Sequence, residues 1–367
     1  MLRRKYNRKK IGFLFLGLFL LLAIFLSIKL ASFYNNIYTK KNGSGIIKKP
    51  YVEKTAYNIL IMGYGGAGHQ GAYLTDTMMV AHIDTKKRDS TLISLPRDIW
   101  VRVPTSSGSK FHSKINAVYQ MGLFPNNYPD IPARYEGEQG AGELVKEVVK
   151  TVTGLEIDNY VAIDFAGFEK GVDLLGGVDI SVARTFDDFE YPIAGYEDDL
   201  CGKQESDLPE LEKIATESPE IAFPCRYEHL HFDAGLQHMD GVTALKFVRS
   251  RHSNEDGGDF ARASRQQLFL DSVKSQVISL GFIPKAIPLL DELGDHIKTD
   301  VDPILANKLI LSAEVGEDYT MSQFVLDDKA YITATTSSNG QFILIPTLGE
   351  DKWSAVHKAI AGGEGGI

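Results

Sequence analysis

The stretch ALKFVRSRHSNEDGGDFARASRQQLFL, residues 244–270, sets Arg249, Arg251 and Arg262 around a glycine-containing loop, with Phe247, Phe260, Leu268 and Phe269 interleaved. Guanidinium forks bind phosphate oxygens two at a time, so concentrated arginine suits a multivalent phosphate. Internal salt bridges are the competing use, because acids are plentiful, but the apolar neighbours imply partial burial. If Lys246–Arg251 is extended, Arg249 and Arg251 project to the same side. If a helix begins near Asp259, with that carboxylate as N-cap, Arg262 and Gln266 share a face one turn apart. Upstream, LTDTMMV places Asp76 just before a strand, LPRDIW places Arg97 and Asp98 just after the next, and KINAVY supplies Lys114 and Asn116. Polar groups at strand ends converge on one edge of a sheet, where α/β proteins bind ligands. With Asp76 as a hard oxygen ligand, Mg²⁺ bridging a pyrophosphate is the chemistry these residues suit.

The glycines of GYGGAGHQG invite a different reading, since Gly63, Gly65 and Gly68 spell G-x-G-x-x-G. A dinucleotide fold needs a helix between that loop and the second strand, yet only HQGAYLTDT separates Gly68 from Met78. The Walker pattern fails too, because His69 and Gln70 stand where Lys and Ser/Thr belong. The loop therefore reads as a tight turn joining two strands.

The elements that must position these groups follow from periodicity. Strands are predicted at Asn58–Met62, Met78–Ile83, Thr91–Leu95, Tyr160–Ile163 and Val178–Val182. In GAGELVKEVVKTVTG, Leu144, Val148 and Val152 recur every four residues, with Val145 and Val149 beside them and Gly154 as the stop. Phe165, Phe168, Val172 and Leu175 repeat the device. The fold expected is an α/β/α sandwich about a central mixed sheet, mixed because some connections are too short for crossover helices. The helices Glu143–Thr153 and Phe165–Leu175 could line an apolar groove or serve as plain core.

Composition bounds the function. The first ten residues carry six of the chain's 39 basic groups and no acid, and eighteen uncharged residues, IGFLFLGLFLLLAIFLSI, follow. That pattern predicts a basic cytoplasmic tail (1–10) and a single membrane span (11–30), rather than a cleaved leader. A polar linker (31–54) would then stand an extracytoplasmic domain (55–360) off the bilayer, ending in a frayed tail (361–367). Beyond the tail, 33 basic groups face 48 acids, a balance that excludes a general nucleic-acid binder. Between residues 184 and 230 the chain departs from regular patterning. From Phe186 to Leu230 it holds thirteen acids against Lys203, Lys213 and Arg226, and both cysteines lie inside. The exported compartment argues for a Cys201–Cys225 disulfide. The segment is either a stapled lid facing the site or a solvated decoration.

Taken in order, LTDTMMV, ISLPRDIWV, KINAVYQMG, YVAIDFAGFEKGVDLLGGVDISV, AGLQHMDGVTALKFVRSR and DFARASRQQ resemble the LytR-CpsA-Psr family of membrane-anchored bacterial envelope proteins, over roughly residues 58–280. The resemblance implies transfer of a glycan or teichoic-acid-like polymer, as its 1-phosphate, from a polyprenyl-pyrophosphate carrier to peptidoglycan, with Mg²⁺. It implies a metal role for Asp76, a pyrophosphate role for Arg97, Arg249, Arg251 and Arg262, and support from Lys114 and Gln266. Asp98 is a candidate base; Asn116 and Asp259 complete the candidate substrate set. One departure concerns the metal: family members carry another aspartate in the loop after the first strand, and no acid occurs here between Asn58 and Thr75. His69 is the side chain in that loop able to ligate a metal. Two rival functions keep the same site: a lipid-pyrophosphate hydrolase that uses water as acceptor, and a non-catalytic binder in envelope assembly.

Overall fold

A computed structural model describes residues 32, 34, 36–37, 54–69, 71–216, 218–253, 255, 257–277, 293–302, 304–306, 308–309, 320–326 and 330–362. The expected tail and span, most of the expected linker, and residues 363–367 lie outside these. No helix among the described residues is long and apolar enough to cross a membrane. Residues 32, 34, 36 and 37, at the start of the expected linker, are helical, and Asn36 Nδ2 donates to Asp295 Oδ1 at 3.1 Å.

Among the described residues, six strands make the central sheet: β1 (Ala56–Tyr64), β2 (Thr75–Asp84), β3 (Asp89–Ser94), β6 (Asn159–Asp164), β11 (Ile297–Thr299) and β12 (Thr320–Val325), in the order β11-β6-β1-β2-β3-β12, while β4 (Trp100–Val103) and β5 (Phe111–Lys114) pair outside it. The short connections give antiparallel neighbours: β1 runs against β2 and β2 against β3. β1 pairs with β6 in parallel, because the chain between them passes through a long helix, α1 (Gly137–Thr153). The glycine loop is thus a turn between antiparallel strands, closed by Gly66 N–H donating to Ala72 O at 2.7 Å, with Gly66, Gly68 and Gly71 all at positive φ. Four of the five expected strands fall in this sheet. The fifth, β7 (Val178–Val182), instead pairs with β10 (Gly235–Met239) in a separate ribbon. Residues 184–230 are also more regular than their sequence suggests: β8 (Phe186–Pro192) pairs with β9 (Tyr227–Phe232), and short helices at Leu208–Ala215 and Pro219–Ala222 lie between them.

The two faces of the sheet are packed differently. Along β1, Leu60 and Met62 point into a filled core with α1's Leu144, Val148 and Val152. α1 approaches closely because Gly142 has no side chain: a Cβ there would lie 2.2 Å from the Tyr160 ring. Gly142→Ala is therefore expected to destabilise by about 2 kcal/mol, overpacking outweighing the gain in helix propensity. A lowered denaturant midpoint with unchanged slope would show it. The alternate β1 residues, Ile61 and Gly63, face α2 (Phe165–Leu175), α3 (Gly241–Arg249) and α4 (Gly258–Val277) across an apolar cavity of about 500 Å³. Of the two helices expected as groove or core, α2 lines this cavity and α1 is core. Asp164, at the end of β6, caps α2 by accepting from Gly167 N, and Asp240 caps α3 by accepting from Thr243 N.

Candidate functional site

The ends of β2 and β3, the C-terminus of α3 and the first turns of α4 meet at a polar cleft of about 360 Å³ that Asp76, Arg97, Arg249, Arg251 and Arg262 line. Asp76 is second in β2; its Oδ1 accepts from Arg97 Nη1 at 2.9 Å, and its Oδ2 lies 3.9 Å from Arg249 Nη2. The carboxylate thus holds two guanidinium groups side by side at the sheet edge.

Residues 246–249 are helical, not extended. Arg249 is the last residue of α3 and Arg251 follows in the loop, so the pair reaches the cleft from a helix end. The Arg249 guanidinium stacks 4.1 Å above the Phe165 ring and donates to Tyr191 Oη at 2.8 Å, which fixes its plane. Burial pushes the Tyr191 hydroxyl above its ordinary value, with Arg249 opposing. The phenol therefore keeps its proton, its oxygen accepting from Arg249 and its hydrogen free to reach a phosphate oxygen.

The loop after α3 is held from behind. Asp188 of β8, 1% exposed, accepts from Ser250 Oγ (2.7 Å), Arg251 N (3.1 Å) and His252 N (3.2 Å) at one oxygen and from Glu190 N at the other. Gly258 N donates to Arg251 O, closing the loop, and the buried Arg265 donates to Ser250 O beneath it. Asp188, Glu190, Tyr191, Pro192, Pro219 and Tyr227 all line the cleft, so residues 184–230 form one of its walls rather than a solvated decoration. Cys201 and Cys225 are disulfide-bonded within that wall.

Sequence reasoning passed over Asp188, Tyr191 and Arg265. A bulge between Asp188 and Tyr191 breaks the alternation that would have marked β8, and Asp188 is one of thirteen neighbouring acids. Apolar Phe186 and Tyr191 flanking the acids were the available signal.

The other candidates fall apart spatially. Gln266, buried on α4 one turn after Arg262, donates to Thr77 Oγ1 at 3.2 Å. Asp98 sits between Lys114 Nζ (2.6 Å) and Arg97 Nε (3.7 Å), so as a base it would first have to leave two cations. Lys114 serves that ion pair and is not among the residues lining the cleft, and Asn116 is buried at the strand edge, its carbonyl accepting from Thr75 Oγ1. Asp259 is the second residue of α4, not its cap. His69 packs edge-on against Phe165, ring centroids 5.6 Å apart. His69→Ala is expected to leave Mg²⁺ dependence unchanged; a raised half-saturating Mg²⁺ concentration would make it a ligand. The acid that packs against the glycine loop is Asp164, but its oxygens are committed to Gly167 N and His296 Nδ1.

The polar cleft and the apolar cavity share a threshold, because Thr77 and Arg249 line both. A charged head and a greasy tail on one molecule would fit this pair of spaces. The model of the LytR_cpsA_psr family matches residues 24–339. The chain belongs to that family. Among its relatives is the polyisoprenyl-teichoic acid–peptidoglycan teichoic acid transferase TagU of Oceanobacillus iheyensis, 27% identical over 257 residues, which are 70% of this chain. The chain spans 62% of that relative's length. The crystal structure of B. subtilis TagV superposes with a TM-score of 0.54 at 20% identity, covering 85% of this chain and 98% of that one. A structure of TagT bound to LI-WTA gives 0.53 at 15% identity, covering 89% and 98%. At these identities the structures establish the LytR_cpsA_psr fold, with its central mixed sheet, and no more.

Proposed function

We propose that this protein transfers a glycopolymer, as its 1-phosphate, from a polyprenyl-pyrophosphate carrier to peptidoglycan. The observation that carries the reading is the junction just described: four arginines and Asp76 around a polar cleft that opens, past Thr77 and Arg249, into an apolar cavity. The isoprenoid would lie in the cavity, the pyrophosphate among the guanidinium groups, and the sugar polymer outward along the wall formed by β8 and β9. TagU's named donor and acceptor are of the same kind.

In the transfer, a peptidoglycan hydroxyl attacks the sugar-bearing phosphorus, the bond to the bridging oxygen breaks, and polyprenyl phosphate leaves. The negative charge that builds on that leaving phosphate is what Arg97, Arg249, Arg251 and Arg262 neutralise, the first three already positioned by Asp76, Phe165 and Asp188. Tyr191 donates to a phosphate oxygen. Of the carboxylates lining the cleft, Asp188 is spent on the arginine loop and Glu190 lies 3.1 Å from His252 Nδ1, so Asp76 is the one that would hold Mg²⁺, sharing its oxygens with Arg97 and Arg249. The ion would neutralise pyrophosphate charge and align the two phosphates.

The test uses the full chain in detergent, a short-chain polyprenyl-pyrophosphate glycan, peptidoglycan oligomers and Mg²⁺, with products read by mass spectrometry. A phosphodiester-linked glycan that vanishes in Asp76→Ala is the expected result. Free glycan phosphate without ligation would make the protein a hydrolase. Donor bound tightly without turnover would make it a binding protein, the reading that the acid-free glycine loop favours.

A further inference from the structure

On the outer face of the β8–β9 ribbon, three ligating atoms converge. Asp187 and His231 are cross-strand partners, and His229 lies two residues from His231 on the same exposed face, while Leu230 and Phe232 point into the core. Asp187 Oδ1 lies 2.6 Å from His229 Nε2 and 2.8 Å from His231 Nδ1. Asp187 Oδ1 and the two imidazole nitrogens lie within 4.8 Å of one another.

Two further contacts fix the imidazoles. His229 stacks on Phe189, centroids 4.1 Å apart and planes 6° from parallel. The other nitrogen of His231, Nε2, lies 3.3 Å from Asp233 Oδ1. A carboxylate behind a ligating histidine is the arrangement that sets its tautomer and sharpens its basicity in metal sites. With Nε2–H donated to Asp233, Nδ1 is the nitrogen left to face Asp187, across a shared proton that an ion can replace. The Glu255 carboxylate, accepting from Asp187 N at 3.3 Å, adds negative charge close by.

We propose that Asp187, His229 and His231 bind a divalent transition ion, Zn²⁺ by ligand type, with the fourth position open to solvent. Two imidazoles and a carboxylate suit Zn²⁺ better than Mg²⁺ or Ca²⁺, which prefer oxygen. Ligands about 2.0–2.1 Å from a tetrahedral ion lie about 3.3 Å apart, so the ion replaces the shared protons and the two carboxylate–imidazole pairs open by about 0.5–0.7 Å. Side chains on a two-stranded ribbon can make that adjustment. The consequence reaches the cleft without touching it. Asp187 and Asp188 are consecutive in β8 and point to opposite sides, so an ion clamping Asp187 to β9 steadies the strand that holds the arginine loop.

The experiment titrates the full chain in detergent, stripped with EDTA and dialysed into excess Mg²⁺, with Zn²⁺ by calorimetry. One equivalent binds at micromolar concentration or tighter, and Zn²⁺ raises the thermal unfolding midpoint. His229→Gln weakens binding at least about tenfold, His229→Gln/His231→Gln at least about 100-fold, and Asp233→Asn about tenfold. Stripped of metal, these variants unfold where the stripped wild type does, since the substituted side chains are exposed. His112 with Glu350 and Asp351 is another three-ligand group, so His112→Ala is the control and binds Zn²⁺ unchanged. Absence of saturable binding, survival of binding in the double variant, or its loss in His112→Ala would each overturn the proposal. None of these readings depends on transfer activity.

Discussion

Arg249→Lys is expected to lower transfer by roughly 10²–10³-fold although the charge is kept. Three contacts orient Arg249: the stack on Phe165, the bond to Tyr191 and the approach to Asp76. An ammonium is a compact point charge; it cannot lie flat on the phenylalanine while donating to both the tyrosine and the carboxylate. It would also be more strongly hydrated at the threshold between cleft and cavity. Donor affinity should fall less than turnover, because a single positive charge still attracts a pyrophosphate but no longer matches the charge as it moves onto the leaving group. Single-turnover rates at saturating donor would decide it. A lysine variant within a few-fold of wild type would mean that Arg249 contributes field alone and that its orientation is incidental.

Asp188→Ala has the second large effect, on the fold and the reaction together. The substitution leaves Ser250 Oγ and the backbone N–H groups of Arg251, His252 and Glu190 without the acceptor that now serves them in a buried place. Orphaning one buried and three part-buried donors should cost about 3–5 kcal/mol. Asp188→Asn, which keeps one acceptor oxygen, should cost about 1–2 kcal/mol. At a temperature where both variants remain folded by circular dichroism, transfer should still fall, because Arg251 hangs from the loop that Asp188 ties down. If Asp188→Ala unfolds early yet transfers at the wild-type rate when cold, the loop's position does not depend on this carboxylate.

The contrast between these residues shows what a sequence can and cannot disclose here. Asp76, Arg97, Arg249, Arg251 and Arg262 were legible because each sits at the end of a periodic element, and the chemistry of arginine narrows the ligand. Four of the six described central strands and the glycine turn were legible because strand alternation and the length of a connection are local facts; β11 and β12 were not predicted. Asp188 was not: three of its four partners lie 62 to 64 residues further on. For 246–251 the sequence reading offered only a conditional extended stretch; Phe247 and Val248 favour strands, and the signal that decides for a helix, the Asp240 cap, lies before the stretch. Lys114 and Asp98 share the site's neighbourhood in sequence but neutralise each other in space.

The unfilled side of the sheet has a mechanical meaning as well. The half-open apolar pocket of about 500 Å³ between strands and helices is loosely packed, and the packing defects along its walls disappear when the chain unfolds or when an apolar ligand fills it. Hydrostatic pressure favours whichever state is smaller, so compression should unfold empty molecules well before lipid-loaded ones. The pressure at half-unfolding would then report, without label or substrate turnover, how many molecules carry a lipid.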